Sequence, residues 1–402
     1  MAAKKYRVLI ERFADQGRCV AHVDGRVVFV RFALPGEEVL ICVDEPARAS
    51  DRFWTGEVEE VFSASPFRVP PSWPEAGPVA WGGGLGGADL CHVSLEGQIE
   101  WKKQVTEAQL AHLGKIEAEC PVERLEFDRE NGGLWWRSRI DLVANAQGFA
   151  SMRRRASRDL VPIRSMPLCS KELLEKADEA GIWGGGFAPG APVRLSIGAE
   201  GSFSIAAGGK VISGKEKLSE SVVLGGRTYR YQVRQDCFWQ VHLLAAQTLA
   251  SQVFSLAKEF SGKRVWDLYS GSGLFTLPLG SLFEEVKSVE QSPSAVAAAR
   301  KNAGKNPKFD IRKGDVAKAM PSLGSAPDLV VADPSRSGMG REVCRQLGEK
   351  NVPALIYVSC NPATFARDCA FLGEEGYSLS SLRGFDLYPS THHVEVVGLF
   401  LK

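Results

Sequence analysis

Val265-Trp266-Asp267-Leu268-Tyr269-Ser270-Gly271-Ser272-Gly273 reads as a buried strand running straight into a glycine turn. Such a turn lets the backbone pass close to a ligand at the carboxyl end of a strand, where α/β sheets place their sites. Working outward, strands are expected at Arg264 to Leu268, Val286 to Glu290, Phe309 to Arg312, Asp328 to Ala332 and Ala354 to Val358, with helices between them. A last pair, near Gly384 to Tyr388 and Val394 to Leu401, reads as antiparallel. Strands alternating with helices in this way predict an α/β, doubly wound, Rossmann-like domain over residues 236–402.

The turn also selects a ligand class. Glu290 closes the second strand, about twenty residues on, where an acid can accept both ribose hydroxyls. A dinucleotide site would require a third glycine, and Thr276 stands in its place. S-adenosylmethionine carries no pyrophosphate, so the missing glycine favours it over NAD. Asp333, in Ala332-Asp333-Pro334-Ser335-Arg336, adds a second acid at a strand end.

Further along, Ala354-Leu355-Ile356-Tyr357-Val358 leads into Ser359-Cys360-Asn361-Pro362, and His392-His393-Val394-Glu395-Val396 follows some thirty residues later. Nine cysteines are scattered without a paired framework, which suits a reducing compartment. Eight of them read as small buried hydrophobes. Cys360 differs, because it follows a strand and precedes a helix whose positive end is expected to lower its pKa. Glu395 lies among valines, where an unpaired carboxylate is costly unless used, and a raised pKa would suit it to proton transfer. His392 and His393 read as structural or substrate-orienting. No second His/Cys cluster at ligand spacing is present, so no metal site is expected.

The rest of the chain bounds the setting. At 402 residues, two or three domains are expected. Residues 1–63 carry five short β-rich stretches (Tyr6 to Ile10, Cys19 to Val23, Val27 to Phe32, Glu38 to Val43, Phe53 to Phe62), the pattern of a small OB-like barrel. Such a barrel either holds nucleic acid or merely packs on its neighbour. Pro66 to Gly87 is rich in proline and glycine and reads as a boundary. Residues 64–235 then mix a helix (Leu95 to about Leu113) with strands and basic loops, the α+β central domain. Trp135, Trp136, Arg137, Arg139, Arg153, Arg154, Arg155, Arg158 and Arg164 suit backbone neutralisation and base stacking, or form a solvated loop. Net charge is only +1, so nucleic-acid binding would need a local patch. No run is long and apolar enough to cross a membrane, and the start of the chain has no apolar leader, which points to the cytoplasm.

Taken together, these residues resemble the RNA 5-methyluridine (uracil-C5) methyltransferases, S-adenosylmethionine-dependent enzymes acting on tRNA and 23S rRNA. The resemblance rests on a TRAM-like barrel with Leu34-Pro35-Gly36-Glu37, on Phe238-Trp239-Gln240-Val241 and Asp267-Leu268-Tyr269-Ser270-Gly271, and on Asp333-Pro334, Ser359-Cys360-Asn361-Pro362 and His393-Val394-Glu395. It implies a class I methyltransferase fold for residues 236–402 and RNA binding by the other two domains. Gln240, Tyr269, Gly271, Glu290, Asp315 and Asp333 would hold the cofactor, Cys360 would be the nucleophile and Glu395 the base. A monomer is expected, with RNA as partner. 23S rRNA is favoured over the T-loop uridine of tRNA, and an RNA-binding or chaperone protein with a degenerate enzyme domain is the alternative of another class. Many relatives hold a [4Fe-4S] cluster on four cysteines. Here Val79, Leu85, Ala88 and Met166 fall at those positions, while Cys91 and Cys169 lie out of register. No cluster is therefore expected, and Trp81 and Leu85 are expected to fill its volume. Ser335 and Leu274 are further departures from the family pattern.

Overall fold

The structure is a computed structural model that describes residues 4–44, 50–260 and 262–402. The first three residues, which belong to the stretch read above for a leader, lie outside the described residues. The C-terminal sheet contains seven strands from its own region: β1 Arg264–Leu268, β2 Glu285–Glu290, β3 Phe309–Lys313, β4 Leu329–Ala332, β5 Ala354–Ser359, β6 Ser378–Asp386 and β7 Glu395–Leu401. Their order is β3-β2-β1-β4-β5-β7-β6. The first five run parallel, and β7 lies antiparallel between β5 and β6. Every residue of β4 and β5 is buried, as parallel strands covered on both faces require.

This sheet places the chemistry. In the β5–β7 ladder Ser359 pairs with Val396. One further step of the same antiparallel register sets Cys360, just past the end of β5, across from Glu395 at the start of β7. Residues thirty-odd positions apart in sequence thus become cross-strand neighbours.

Two strand expectations are corrected. β6 begins at Ser378 rather than Gly384. Its first half is an exposed, serine-rich stretch with a register shift between Leu379 and Ser381, which breaks the alternation that announces a strand. An eighth strand, Val122–Arg124, comes from the central region and pairs parallel with β6. It is only three residues long and has no sequence signal of its own.

At the N-terminus, the first strand, expected over Tyr6 to Ile10, is Lys5–Leu9, and past a bend it continues in an unexpected second half, Arg12–Ala14. The first half pairs with Glu38–Val43 and the second with Arg18–Val23, which closes the sheet into a barrel. Arg26–Arg31 and Phe53–Ser63 are its parallel pair, giving the OB order. The Leu34-Pro35-Gly36-Glu37 turn has a physical reason. The fully buried Glu37 carboxylate accepts from Leu34 N at 2.8 Å and from Arg68 Nη2 at 2.6 Å, which ties the barrel to the segment that follows it.

The central region supplies a six-stranded antiparallel sheet and the Leu95–Gln109 helix, which ends in a π turn through Gly114. That helix joins the C-terminal sheet through Lys102. Its ammonium is fully buried and ion-paired to Asp386 at the end of β6, and Arg124 pairs with the same carboxylate.

Candidate active site

A cavity of about 940 Å³ opens at the carboxyl ends of β1, β2, β4 and β5. All eight residues singled out from sequence line it: Gln240, Tyr269, Gly271, Glu290, Asp315, Asp333, Cys360 and Glu395.

On the cofactor side the backbone is bent back sharply. Tyr269 has φ +62°, an uncommon and strained conformation for a non-glycine residue, and Gly271 has φ +53°. The turn is fastened to β2, because Gly271 N donates to Glu290 Oε2 at 3.0 Å and Ser292 N donates to Oε1 at 2.6 Å. Each carboxylate oxygen keeps a lone pair for a hydroxyl. Thr276 also finds its reason here. Its Oγ1 donates to Asp267 Oδ2 at 2.5 Å and lies 3.1 Å from Ser288 Oγ, all fully buried. Burial pushes Asp267 up to about 7. A glycine at 276 would take the hydroxyl donor from that carboxyl and leave only the backbone amide.

Gln240 Oε1, Ser270 Oγ and Ser272 Oγ are buried in the cavity wall without hydrogen-bond partners among the described residues. Buried polar atoms of this kind are costly unless a ligand satisfies them, and an amino-acid and ribose moiety would do so. Asp315 is exposed at the rim, where Oδ1 caps the Val316–Ala319 helix through Lys318 N at 3.1 Å.

On the other side, Cys360 is half-buried. Burial, then the charges of Glu395 and Asp333, push its thiol up to about 12. This corrects the expectation of a lowered pKa. The N-terminus of the Pro362–Glu374 helix does follow, but Asn361 caps it by accepting from Ala363 N at 3.0 Å. Two carboxylates outweigh what is left of its field. Glu395 is buried, and burial raises it to about 7 against the opposing pull of Tyr388 and Arg336. Burial, Glu395 and Asp267 hold Asp333 well above the carboxylate range. His393 is pushed down to about 3 by burial and the neighbouring cations, so it is neutral. Its Nε2 lies 3.2 Å from Arg336 Nη2 and accepts from it. His392 Nδ1 pairs with Asp89 Oδ2 at 2.8 Å. Among the described residues, no group of three or more His, Cys, Asp or Glu side chains is gathered as a metal site.

Beyond Cys360 a second cavity of about 500 Å³ runs toward the barrel. Arg18 and Arg31 of the barrel, Arg155 of the central region and Arg336 line it, and Arg336, Cys360, Asp89 and His393 are shared with the first cavity. This charged channel was not legible in the sequence, because its arginines come from separate regions of the chain.

Several residues read as RNA-facing prove to be structural. Trp136 is fully buried and stacks on His242, 5.7 Å between centroids. His242 in turn donates from Nε2 to Asp128 at 3.0 Å and accepts Leu244 N at Nδ1. Arg139 is buried and donates to Cys237 O. Arg155 donates to the carbonyls of Ala76, Gly77 and Leu85 and pairs with Glu57 at 2.6 Å. It thereby pins the glycine-rich segment to both the barrel and the central sheet. Arg153, Arg158 and Arg164 are exposed.

At the four positions matched to cluster ligands, Val79 is exposed, whereas Leu85, Ala88 and Met166 are buried among apolar side chains. Trp81 does not fill the volume as expected. It is 41% exposed and donates from Nε1 to Glu59 O, since the left-handed turn at Gly82 carries it outward.

A parallel sheet with an antiparallel seventh strand between β5 and β6, and a cavity of orphaned polar groups after β1, define a class I methyltransferase. Residues 203–313 and 325–402 match the family described as tRNA (Uracil-5-)-methyltransferase, and residues 1–51 match the TRAM domain. The chain is 46% identical to an uncharacterized RNA methyltransferase of Bifidobacterium longum, over 98% of this chain and 96% of that protein. It is 29% identical to the 23S rRNA (uracil(1939)-C(5))-methyltransferase RlmD of Shewanella amazonensis, over 99% and 96%. The fold is that of the Pyrococcus abyssi tRNA (uracil-54, C5)-methyltransferase, solved with S-adenosyl-L-homocysteine, at TM-score 0.70 and 21% identity over 98% and 100% of the two chains. The chain belongs to the tRNA (uracil-5-)-methyltransferase family, S-adenosylmethionine-dependent enzymes of RNA uracil-C5 methylation.

Proposed function

We propose that this chain methylates C5 of a specific uridine in 23S rRNA through a covalent bond between Cys360 and C6 of the base. The observation that carries this reading is the shared cavity: Cys360 and Glu395 face each other at one end, and the orphaned polar groups of Gln240, Ser270 and Ser272 stand at the other. Glu290 and Asp333 would hold the ribose and reacting end of the cofactor, with Tyr269, Gly271 and Asp315 shaping its rim. Bound S-adenosylmethionine would supply a methyl group on a sulfonium centre.

Uracil C5 is too weak a nucleophile to take that methyl unaided. Addition of the Cys360 sulfur to C6 converts the ring to an enolate with carbanion character at C5. The thiol is neutral in the free site, so its proton is released to water as the C6–S bond forms, leaving Glu395 free for the later step. After C5 has been methylated, Glu395 takes the C5 proton, the C5–C6 double bond returns and the Cys360–C6 bond breaks. Splitting one difficult step into two in this way is the purpose of a covalent nucleophile. The base has to leave its stack to reach the thiol. Arg18 and Arg336, in the channel on the far side of Cys360, suit the flanking phosphates. No iron–sulfur cluster takes part, because Leu85, Ala88 and Met166 offer no thiolate.

The 23S rRNA target is supported by the RlmD relatives, matched over nearly the whole chain. Two measurements test the reading. RNA carrying tritium at uridine C5 should release it only when S-adenosylmethionine is present, and no release would leave a non-catalytic RNA-binding protein. Mapping 5-methyluridine in cells with and without the gene should show one 23S rRNA position lost. Loss confined to the tRNA T-loop would move the target there.

A further inference from the structure

Tyr388 lines the cavity beside Glu395, and its Oη donates to Glu395 Oε1 at 2.7 Å. Its backbone is fixed at a fully buried ion cluster. Lys102 Nζ, paired with Asp386, also donates to Tyr388 O at 3.0 Å, and Thr391 Oγ1 donates to the same carbonyl at 2.8 Å. The ring is wedged edge-on between Trp136 and His393, each 5.9 Å away. Those ring contacts would be equally served by phenylalanine. The hydroxyl is needed only for the bond it makes.

We propose that Tyr388 is the positioning residue for the base. By binding Oε1 it fixes the plane of the Glu395 carboxyl and leaves Oε2 to meet the C5 hydrogen of the methylated base. This rests on the reading of Glu395 as the base. When Oε2 takes that proton, the C–H electron pair becomes the C5–C6 π bond and the C6–S pair returns to Cys360. The proton then passes back to the thiolate, the stronger base of the two, which restores the neutral thiol and the Glu395 carboxylate.

The hydrogen bond has a definite electrostatic sense. The other polar groups facing Glu395 are Arg336, which favours its charge, and Cys360 and Asp333, whose own ionisation Glu395 opposes. A donor to a carboxylate stabilises the charged form and lowers its pKa. Tyr388 itself stays protonated, since burial and Glu395 hold its phenol well above its ordinary value. It is a permanent donor that offsets part of the burial acting on the base.

The test is Tyr388→Phe, compared with Glu395→Gln, in the full-length protein with uridine-containing RNA. For Tyr388→Phe the acid limb of the kcat–pH profile should move up by about one unit, so that turnover falls roughly tenfold on the acidic side and recovers at alkaline pH. The covalent RNA adduct should accumulate at low pH, appear as a slow band on a denaturing gel, and clear when the pH is raised. S-adenosylhomocysteine affinity by calorimetry should be unchanged, showing the site intact. A profile superimposable on wild type, or a uniform fall at every pH, would overturn the proposal. Glu395→Gln should accumulate adduct at all pH values. If it releases product freely, the base assignment fails and takes the tyrosine's role with it, whereas a stalled Glu395→Gln beside an unshifted Tyr388→Phe rejects the tyrosine alone.

Discussion

Glu395 lies across from Cys360, one register step beyond the Ser359–Val396 pair, and after burial its charge is the largest reason that the thiol stays protonated. The nucleophile is therefore held in reserve until substrate arrives. Alkylation of Cys360 by iodoacetamide, followed by mass spectrometry of its peptide, should be slow at neutral pH and rise only in strongly alkaline solution. Glu395→Gln removes a negative neighbour, so the thiol pKa should fall and alkylation at a fixed pH should speed up. Identical alkylation profiles for the two proteins would show that the carboxylate does not face the sulfur.

Cys360→Ala should abolish methylation and leave S-adenosylmethionine binding nearly intact, because the thiol attacks the base and not the cofactor. Residual turnover near the wild-type rate would remove the covalent mechanism altogether.

Glu290→Ala should weaken S-adenosylmethionine binding by about 1–3 kcal/mol, the cost of leaving buried hydroxyls unpaired. The same carboxylate ties down the amides of Gly271 and Ser292, so part of this loss reports loop order rather than ribose contact. Titration calorimetry with an unchanged dissociation constant would show the ribose assignment to be wrong.

Leu85→Ala should destabilise the protein by roughly 2–5 kcal/mol, since it empties a buried apolar site. Protein purified without oxygen should be colourless and free of iron and sulfide. Stoichiometric iron would mean that Cys91 and Cys169, both buried, serve in a register the sequence alignment does not suggest.

The methyltransferase sheet was legible because β-rich stretches alternate with helical ones, and its central strands β4 and β5 are continuous apolar runs. All of the first five match the expected bounds to within one residue at both ends. The site residues were legible for a related reason: chemistry at the carboxyl ends of parallel strands leaves short, polar, unusual stretches such as Ser359-Cys360-Asn361-Pro362. What could not be read was anything decided across long sequence distances. Thr276 looked like a missing glycine, and only the fold shows Asp267 and Ser288 around its hydroxyl. Trp136 and Arg155 looked like RNA contacts, because an aromatic beside an arginine has the same appearance whether it faces solvent or packs against His242 or Glu57. The raised Cys360 pKa depends on burial and then on Glu395 and Asp333, none of which its neighbours in sequence reveal.

Asp386 ends β6 with its carboxylate fully buried between Lys102 and Arg124, and the strand containing Arg124 seals the outer side of β6. A fragment starting at residue 236 would keep the acid and lose both cations. Stranding a buried charge in this way costs roughly 3–5 kcal/mol, and the uncovered strand would offer its open hydrogen-bonding edge to other chains. The half of the protein that matches the methyltransferase family is thus not a module that can be lifted out. Its folding is completed by residues more than a hundred positions upstream, so the central and C-terminal regions should melt together, and a lesion near residue 102 or 124 should be felt at the turn that carries Tyr388.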